Sequence, residues 1–335
     1  MKQTTRYIGL ISLFIAGSPV FAQAPAFPVW LEGLRLEAID SGVSEATANA
    51  ALANVTPVER IIELDRNQPE FKLDFWEYVG RVVSNARIEQ GRVHLELHRE
   101  MLEDVQSRYG IPPPVLVAAW GVESNYGRTQ GSLSVISSLV TLAYDERRSA
   151  FFRGELLHAL RIIDESHIEL DDMKGSWAGA MGQLQFMPST FVDYARDGDG
   201  DGRKDIWNNP ADAVESAANF MASAGWRAGI IWGRQVQLPA EFDTALQGLD
   251  TRKTLNEWQA LGIRMIGGAD LPNVAVEGSV ILPAEGIEPA FMVYQNYRAI
   301  MRWNRSHLFA ISVGHLADRI SGKPPLLNKS SNTLN

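Results

Sequence analysis

Residues 115–123 read Val-Leu-Val-Ala-Ala-Trp-Gly-Val-Glu, an unbroken apolar run that ends in a carboxylate. Residues 112–114 are prolines, which can start a helix, and we expect that helix to be buried on all sides. The polar turn Ser-Asn-Tyr-Gly follows at residues 124–127. Glu123 would therefore be partly desolvated, which raises the pKa of a carboxyl group toward the range of a general acid. A lone glutamate at a helix end can equally be a solvated surface residue, so the remaining motifs must decide.

The composition bounds the class of protein. The 335 residues are 45% apolar, carry a formal net charge of -9 and include no cysteine. Such a chain can bury a core, and we expect one large domain with a smaller elaboration. The acidic balance argues against nucleic acid as a partner, because phosphate binding needs a basic patch. The domain must be stable without disulfides, and the N-terminal segment lacks the cysteine that a lipoprotein anchor needs.

Residues 1–22 have the pattern of a secretory signal peptide. Lys2 and Arg6 precede an apolar stretch, Ile8 to Ile15, and small residues follow at the spacing of a cleavage site. We expect cleavage after Ala22 or, alternatively, after Ala24. The segment is too short to remain as a membrane anchor. The sequence therefore predicts a periplasmic protein without a stable membrane anchor, and we expect a monomer.

The apolar periodicity divides the mature chain. We expect a helical region at residues 23–110, a core at 111–231, a small antiparallel β element at 232–293, helices that complete the core at 294–322, and a flexible tail at 323–335. The fold class is therefore mainly α (α+β). The predicted helices are Leu133–Tyr144, Ala150–Asp164, Pro188–Arg196, Pro210–Gly225, Leu255–Leu261 and Gln295–Ile320. The predicted strands are Val236–Leu238, Val274–Val276 and Ser279–Leu282.

Residues 175–189 form a second informative segment. They are dense in glycine, small side chains and amides, a composition that lets the backbone approach a ligand closely. Gln185 and Ser176 could bind the hydroxyls or amides of a sugar. The alternative interpretation is a tight loop between packed helices.

Taken together, residues 122–127 (Val-Glu-Ser-Asn-Tyr-Gly) and 179–189 (Gly-Ala-Met-Gly-Gln-Leu-Gln-Phe-Met-Pro-Ser) resemble the lytic murein transglycosylase B family. Members of this family are lysozyme-like enzymes that cleave peptidoglycan. The likeness extends from about Phe27 to Ile320. It implies a lysozyme-like helical catalytic core and peptidoglycan glycan strands as the partner.

The resemblance also implies roles for individual residues. Glu123 matches the single catalytic acid/base, and Ser176 matches a serine that hydrogen-bonds to it. The remaining matches are the pair Arg147 and Arg148, the glycan-binding residues Gln185 and Phe186, and Asn304 near the acid. The arginine pair could bind the lactyl or peptide carboxylates of the substrate, or could be a solvated helix edge.

Aromatic residues are a further point of comparison with the family. We expect Tyr126, Phe186 and Trp303 to line the cleft, because they lie in or beside matched motifs. Where family members commonly carry tyrosines, this chain has Trp303, Phe309 and Phe220. Phenylalanine cannot donate a phenolic hydrogen bond.

The implied mechanism needs only one carboxylate, whereas ordinary glycosidases use two. Glu123 would protonate the glycosidic oxygen between N-acetylmuramic acid and N-acetylglucosamine. It would then accept the proton of the muramic acid C6 hydroxyl as this attacks C1 and closes a 1,6-anhydro ring. Two alternatives stay open: a muramidase, in which water attacks, and a glycan-binding protein whose site has degenerated. Asp171 or Asp172 could also be taken for a second catalytic carboxylate.

Residues 197–202 read Asp-Gly-Asp-Gly-Asp-Gly, the start of an EF-hand loop. Crowded carboxylates repel each other unless a cation intervenes. Asn208 occupies the position of the usual closing glutamate, so the closing ligand is missing or comes from Asp205 or Asp212. The predicted ligands of a structural calcium ion are Asp197, Asp199, Asp201, the Arg203 carbonyl, Asp205 and Asp212. No cofactor is expected for catalysis.

Other hydrolase classes lack their signatures. The six histidines show no H-E-x-x-H spacing, and no cysteine can supply a thiolate ligand. The chain also contains no G-x-S-x-G nucleophile elbow. The sequence therefore argues against a zinc peptidase and against a serine hydrolase.

Overall fold

The computed structural model describes residues 25–67, 73–284, 286 and 288–328. The predicted signal peptide at residues 1–22 lies outside these ranges, as do residues 329–335 of the predicted tail. Within the described ranges, no helix combines the length and the apolar character needed to cross a bilayer.

The described residues are mainly helical, with a small antiparallel sheet, which confirms the predicted fold class. The helices are α1 (Phe27–Asp40), α2 (Glu45–Leu52), α3 (Glu59–Arg66), α4 (Phe75–Val82), α5 (Asn85–Leu97), α6 (Arg99–Tyr109), α7 (Pro113–Ser124), α8 (Val135–Tyr144), α9 (Ser149–Asp164), α10 (Pro188–Tyr194), α11 (Pro210–Ser223), α12 (Leu255–Ala260), α13 (Gln295–Trp303) and α14 (His307–Ile320). The strands are β1 (Leu133–Ser134), β2 (Lys174–Gly175), β3 (Gly233–Gln237), β4 (Lys253–Thr254), β5 (Arg264–Met265), β6 (Glu277–Ile281) and β7 (Ala290–Val293).

Helices α1–α6 precede the central apolar helix. Several of them start at a polar side chain that accepts a hydrogen bond from the first turn: Ser44 for α2, Asp74 for α4 and Ser84 for α5. Helix α6 ends at Gly110, whose φ of 70° lies in the left-handed region that glycine tolerates. Local capping therefore sets the length of these helices.

Helix α7 is the centre of the core. Residues 115–121 are all buried, and the helix packs against α5, α11 and α14. Because the run is apolar at every position, the helix has apolar side chains on all its faces and is covered on every side, as its composition predicts. The helix delivers Glu123 in its last turn.

The β element is a five-stranded antiparallel sheet in the order β4-β6-β7-β3-β5. It has its own apolar cluster around Trp258, Val280 and Met292. The predicted strand at residues 274–276 was wrong. There the amides of Val274 and Val276 bond to carbonyls only two residues back, so they are not available to a neighbouring strand.

The predicted helix Gln295–Ile320 is divided into α13 and α14. The Asn304 side chain accepts a hydrogen bond from the Ser306 amide (3.0 Å), and the Ser306 hydroxyl accepts one from the Phe309 amide (3.3 Å). These polar side chains offer the backbone an alternative to helical bonding. The break leaves Trp303 at the end of α13.

Candidate active site

Glu123 is the titratable group whose surroundings point most directly to chemistry. It is partly exposed, and the protein around its carboxyl raises the pKa to about 8, because desolvation disfavours the charged form. A hydrogen bond from Trp303, whose only side-chain donor is the indole N–H, opposes this shift. Among the described residues, no second carboxylate contributes to the pKa shift of Glu123. Glu123 is therefore protonated near neutral pH, as a general acid must be.

A tight turn follows Glu123 and holds it against the glycine-rich segment. Asn125, Tyr126 and Gly127 have φ values of 52°, 61° and 80°, a left-handed conformation that is uncommon for residues other than glycine. The buried Ser124 donates a hydrogen bond to the Gln183 carbonyl (2.6 Å) and accepts one from the Gly127 amide (2.8 Å). Ser124 and Gln183 are 59 residues apart in the chain. Their hydrogen bond therefore brings the two motifs together beside Glu123.

The segment at residues 175–189 is a tightly folded loop. The Ser176 hydroxyl accepts hydrogen bonds from the amides of Ala178 (3.3 Å) and Ala180 (3.0 Å) within the loop. Gly182 has a φ of 68°, and a Cβ there would lie 2.7 Å from Ile206. Gln185, with a φ of 49°, donates its side-chain amide to the carbonyls of Gln130 (3.0 Å) and Gly182 (2.9 Å). Its remaining polar group, the Oε1 atom, is an acceptor.

Trp303 is the centre of an aromatic cluster beside Glu123. Its ring lies 5.2 Å from that of Phe186 and 5.1 Å from that of Phe220. Trp303 is partly exposed, whereas Phe186 is only 2% exposed. The buried ring of Phe186 thus packs behind the ring of Trp303. The exposed face of the Trp303 ring is the surface that a sugar could contact.

The structure places Tyr126 in the core, not on the surface of a cleft as expected. It is 5% exposed, its hydroxyl donates to the Arg87 carbonyl (2.7 Å), and its ring stacks on His94 at 4.7 Å. A Cβ on Gly121 would come within 2.6 Å of this ring. The left-handed turn directs the side chain back under α7. Phe309 is likewise buried.

The two arginines are held by a buried carboxylate from another region. Asp65 on α3 is 2% exposed and accepts hydrogen bonds from Arg147 (3.0 Å) and from Arg148. The Arg148 guanidinium also lies 4.9 Å from the centre of the Phe152 ring. The arginine pair therefore bridges the N-terminal helices and the start of α9. Asn304 is exposed and directly follows Trp303 in the chain.

Three of the predicted metal ligands converge. Carboxylate oxygens of Asp197, Asp199 and Asp212 lie within 4.8 Å of one another. Asp212 is buried and accepts hydrogen bonds from the amides of Gly198 (2.7 Å) and Asp205 (2.6 Å). Its pKa is raised to about 6, first by burial and then by the two neighbouring carboxylates. A hard divalent cation would relieve that repulsion.

The predicted ligands Asp201 and Asp205 are not among these three carboxylates. The Asp201 carboxylate accepts a hydrogen bond from the Arg203 amide (2.8 Å), and that of Asp205 accepts from the amides of Trp207 (3.0 Å) and Asn208 (2.9 Å). Both carboxylates stabilise local turns of the loop.

Sequence reasoning missed several contacts of this site. The sequence predicts a cleft position for Trp303 but not its contact with the carboxyl of Glu123, and no motif includes Asp65. The signal for Ser124 was its place next to Glu123 in the same motif. No signal in a single sequence connects Asp65 with the arginine pair, since 82 residues separate Asp65 and Arg147.

Comparison with known proteins shows what the chain is similar to. SltB3 from Pseudomonas aeruginosa, in complex with NAG-NAM-pentapeptide, is 42% identical with a TM-score of 0.87, over 91% of this chain and 83% of that one. A complex of SltB3 with NAG-anhNAM-pentapeptide matches at 43% identity and a TM-score of 0.86, over 89% and 80%. The Escherichia coli lytic transglycosylase Slt35, in complex with calcium, is 25% identical with a TM-score of 0.74, over 87% and 92%.

Sequence comparison agrees with the structural likeness. Membrane-bound lytic murein transglycosylase B of Escherichia coli is 29% identical over 247 residues, which are 73% of this chain and 66% of that protein. The match thus covers slightly less than two thirds of that relative. The model of the transglycosylase SLT domain matches residues 26–318. The chain therefore belongs to the transglycosylase SLT domain family.

Proposed function

We propose that the protein is a peptidoglycan lytic transglycosylase. It cleaves the β-1,4 bond between N-acetylmuramic acid and N-acetylglucosamine and leaves a 1,6-anhydromuramic acid end. The observation that carries this proposal is the position of Glu123 at the end of α7, beside the glycine-rich loop and Trp303, where desolvation raises its pKa to about 8. The family, and a relative in complex with NAG-anhNAM-pentapeptide, support the choice of substrate.

The residues fit a mechanism with one acid/base group. Glu123 has its pKa raised to about 8 and can give its proton to the glycosidic oxygen. The resulting carboxylate then takes the proton of the C6 hydroxyl as this oxygen attacks C1. The Trp303 indole N–H stabilises that carboxylate, because it donates to the charged form. No contribution of a second carboxylate is needed.

Positioning of the bound sugar has to supply much of the rate enhancement. An intramolecular attack requires a fixed sugar geometry and the exclusion of water that would compete with the C6 hydroxyl. Trp303 offers an aromatic face, and the Gln185 Oε1 offers an acceptor for a sugar hydroxyl or amide. We assign Ser176, Phe186, Asn304 and the Arg147–Arg148 pair supporting roles around the glycan.

A muramidase would use the same residues but let water attack C1. Digestion of purified sacculi in water enriched in oxygen-18 distinguishes the two reactions. Hydrolysis incorporates the label at each new reducing end, whereas ring closure incorporates none. The proposal predicts unlabelled anhydro ends, and labelled reducing ends would show a muramidase instead.

A glycan-binding protein with a degenerate site is the rival from another class. It would retain sacculi in a pull-down experiment without releasing soluble fragments. The proposal predicts release of fragments with time, in proportion to the amount of protein. Binding without any release would favour the rival.

We further propose that Asp197, Asp199 and Asp212 hold a structural calcium ion. The support is the buried carboxylate of Asp212 among two others, and the calcium complex of a relative. Asp197 and Asp199 lie in the loop between α10 and α11, and Asp212 lies on α11. We assign the ion the role of holding this loop to the helix, and no part in the reaction.

We also propose that the protein is exported to the periplasm and acts there as a monomer without a stable membrane anchor. The support for export is the signal-like pattern of residues 1–22 and the location of the proposed substrate in the cell wall. Cell fractionation with an antibody against the protein tests the location. Recovery from the cytoplasm alone would contradict it.

A further inference from the structure

A cavity with an excess of positive charge lies where the sheet meets α13. Its volume is about 340 Å³, and it is lined in part by Arg227, Arg252 and Arg298, with Glu277 as the one carboxylate among the lining residues. In the described part of the chain, none of these three arginines forms an ion pair. We call this cavity the arginine pocket. Three guanidinium groups share this cavity with one lining carboxylate, so the lining carries an excess of positive charge that favours an anion.

Arg298 is fixed in place by the protein itself. Its guanidinium donates to the Leu249 carbonyl (2.5 Å) and to the hydroxyl of Ser279 (2.7 Å). Ser279 is buried and donates in turn to the Thr251 carbonyl (2.7 Å). Desolvation lowers the pKa of Arg298, the charge of Arg252 adds to this effect, and the carboxylate of Asp250 opposes it. The structure thus holds an arginine at a place that disfavours its charge.

The backbone at Arg227 is held by a buried amide side chain on α13. The side chain of Asn296, on α13, accepts a hydrogen bond from the Arg227 amide (2.7 Å) and donates to the carbonyls of Arg227 (2.9 Å) and Ile230 (2.5 Å). Asn296 is fully buried. The chain after α11 is therefore held against α13, so the pocket is preorganised on two of its sides.

The arginine pocket and the site around Glu123 both border α13. Arg298 and Trp303 are both on α13, five residues apart, which corresponds to about 7.5 Å along the helix axis and about 140° around it, so their side chains leave the helix on different faces. Arg227 follows α11, whose Phe220 packs against Trp303 at 5.1 Å. An extended pentapeptide spans roughly 17 Å. The path around α13, a helix about 10–12 Å wide, is of similar length, so a peptide on a sugar at Glu123 would have to pass around α13 in an extended form to reach the arginine pocket.

We propose that the arginine pocket binds the C-terminal carboxylate of the stem peptide on the glycan strand. This assignment rests on the proposed function, because it takes the substrate to be peptidoglycan. Arginine pairs with carboxylates through parallel N–H···O bonds, and the pocket offers such donors from three segments of the chain. Recognition of the peptide would favour strands that carry complete stems over strands without them.

The test is a thermodynamic cycle between protein and ligand. The protein carries Glu123→Gln so that it does not turn over, and the ligand is GlcNAc-MurNAc-pentapeptide with either a free C-terminal carboxylate or a C-terminal amide. Isothermal titration calorimetry at low salt gives Kd for each pair. We expect amidation to weaken binding about tenfold. Adding Arg252→Gln should cause a similar loss for the carboxylate ligand and no further loss for the amide.

Two further variants complete the experiment. Arg252→Lys keeps the charge and should restore part of the affinity, whereas Arg60→Gln removes an exposed charge on α3 and should change nothing. Arg252 is exposed, and circular dichroism and the Tm of each variant check the fold. Equal affinity for the two ligands, or an equal loss for both in Arg252→Gln, would overturn the proposal.

Titration with inorganic phosphate tests whether the pocket binds a phosphate group instead of the stem-peptide carboxylate. If phosphate binds to the pocket in an Arg252-dependent manner and amidation has no effect, the pocket serves a phosphate group and the assignment to the stem peptide fails. The cycle needs no turnover. Absence of anhydro products from the wild-type protein would therefore count against the proposed function alone, and failure of the cycle against the pocket alone.

Discussion

The hydroxyl of Ser124 lies 2.6 Å from the carbonyl oxygen of Gln183 and donates a hydrogen bond to it. Ser124 follows Glu123 directly, and Gln183 lies in the glycine-rich loop. The same hydroxyl accepts from the Gly127 amide, so one buried side chain fixes both the turn after Glu123 and the approach of the loop. The site depends on this connection between two segments that are distant in the chain.

Ser124→Ala should reduce both stability and turnover. The substitution leaves the Gln183 carbonyl and the Gly127 amide without their partner, which costs about 1–3 kcal/mol of unfolding free energy. Displacement of Glu123 relative to the loop should lower kcat by about 10- to 100-fold. Denaturant titration and turnover of sacculi measure the two effects. The exposed Ser107, which bonds only to the Asp104 carbonyl, provides the control variant Ser107→Ala, and equal behaviour of the two variants would contradict this account.

The rate should depend on pH through Glu123. Its pKa is raised to about 8, so the general acid is protonated below that pH, and kcat/KM should fall as the pH rises through about 8. Trp303→Phe removes the donor that stabilises the carboxylate, so the pKa should rise and the alkaline fall in kcat/KM should move to higher pH. A pH profile of both proteins tests this. A shift to lower pH in Trp303→Phe would show that the indole does not donate to Glu123.

Glu123→Gln should stabilise the fold in alkaline solution. The pKa of Glu123 is about 8 in the folded state, against an ordinary value of 4.5, so between these values the unfolded chain binds fewer protons than the folded one. Stability is then lost as the pH rises through this window. At pH 8 the variant should exceed the wild type by about 1–3 kcal/mol, and at pH 4 the difference should vanish. Urea titrations at the two pH values test this, with Glu100→Gln as an exposed control that should show no such difference.

Calcium should raise the Tm of the wild-type protein. At a calcium concentration a hundred times Kd, a single site adds about 2.7 kcal/mol of stability. Asp212→Asn removes the buried carboxylate of the proposed site and should abolish the increment. Asp201→Asn should keep most of it, because Asp201 lies outside the converging group. Differential scanning calorimetry with calcium and with a chelator measures this, and equal increments in both variants would place the ion elsewhere.

Local patterns in the sequence predicted much of the fold and part of the site. The apolar run of α7 and the short alternating segments of the sheet determine local structure, so the sequence alone predicts this helix and most of these strands. Residues 274–276 alternate as a strand does, but they bond to their own neighbours. The periodicity from Gln295 to Ile320 likewise hid the break at Asn304, which polar side chains cause and apolar spacing does not reveal.

Contacts between distant residues could not be predicted in the same way. The direction of the Tyr126 side chain depends on three consecutive left-handed residues, a conformation that residue type alone does not specify for Asn125 and Tyr126. The pairing of Asp65 with two arginines depends on how α3 packs against α8, the helix that precedes the arginines. The choice of Asp212 as the third converging carboxylate follows from the position of α11, not from spacing within the loop.

Mass spectrometry of the products from purified sacculi tests the central claim most directly. The wild-type protein should release muropeptides that end in 1,6-anhydromuramic acid, each lighter by one water than a hydrolysis product. Glu123→Gln, purified with an unchanged circular dichroism spectrum, should release none. Anhydro products from Glu123→Gln at the wild-type rate would contradict the assignment of Glu123 as the single acid/base.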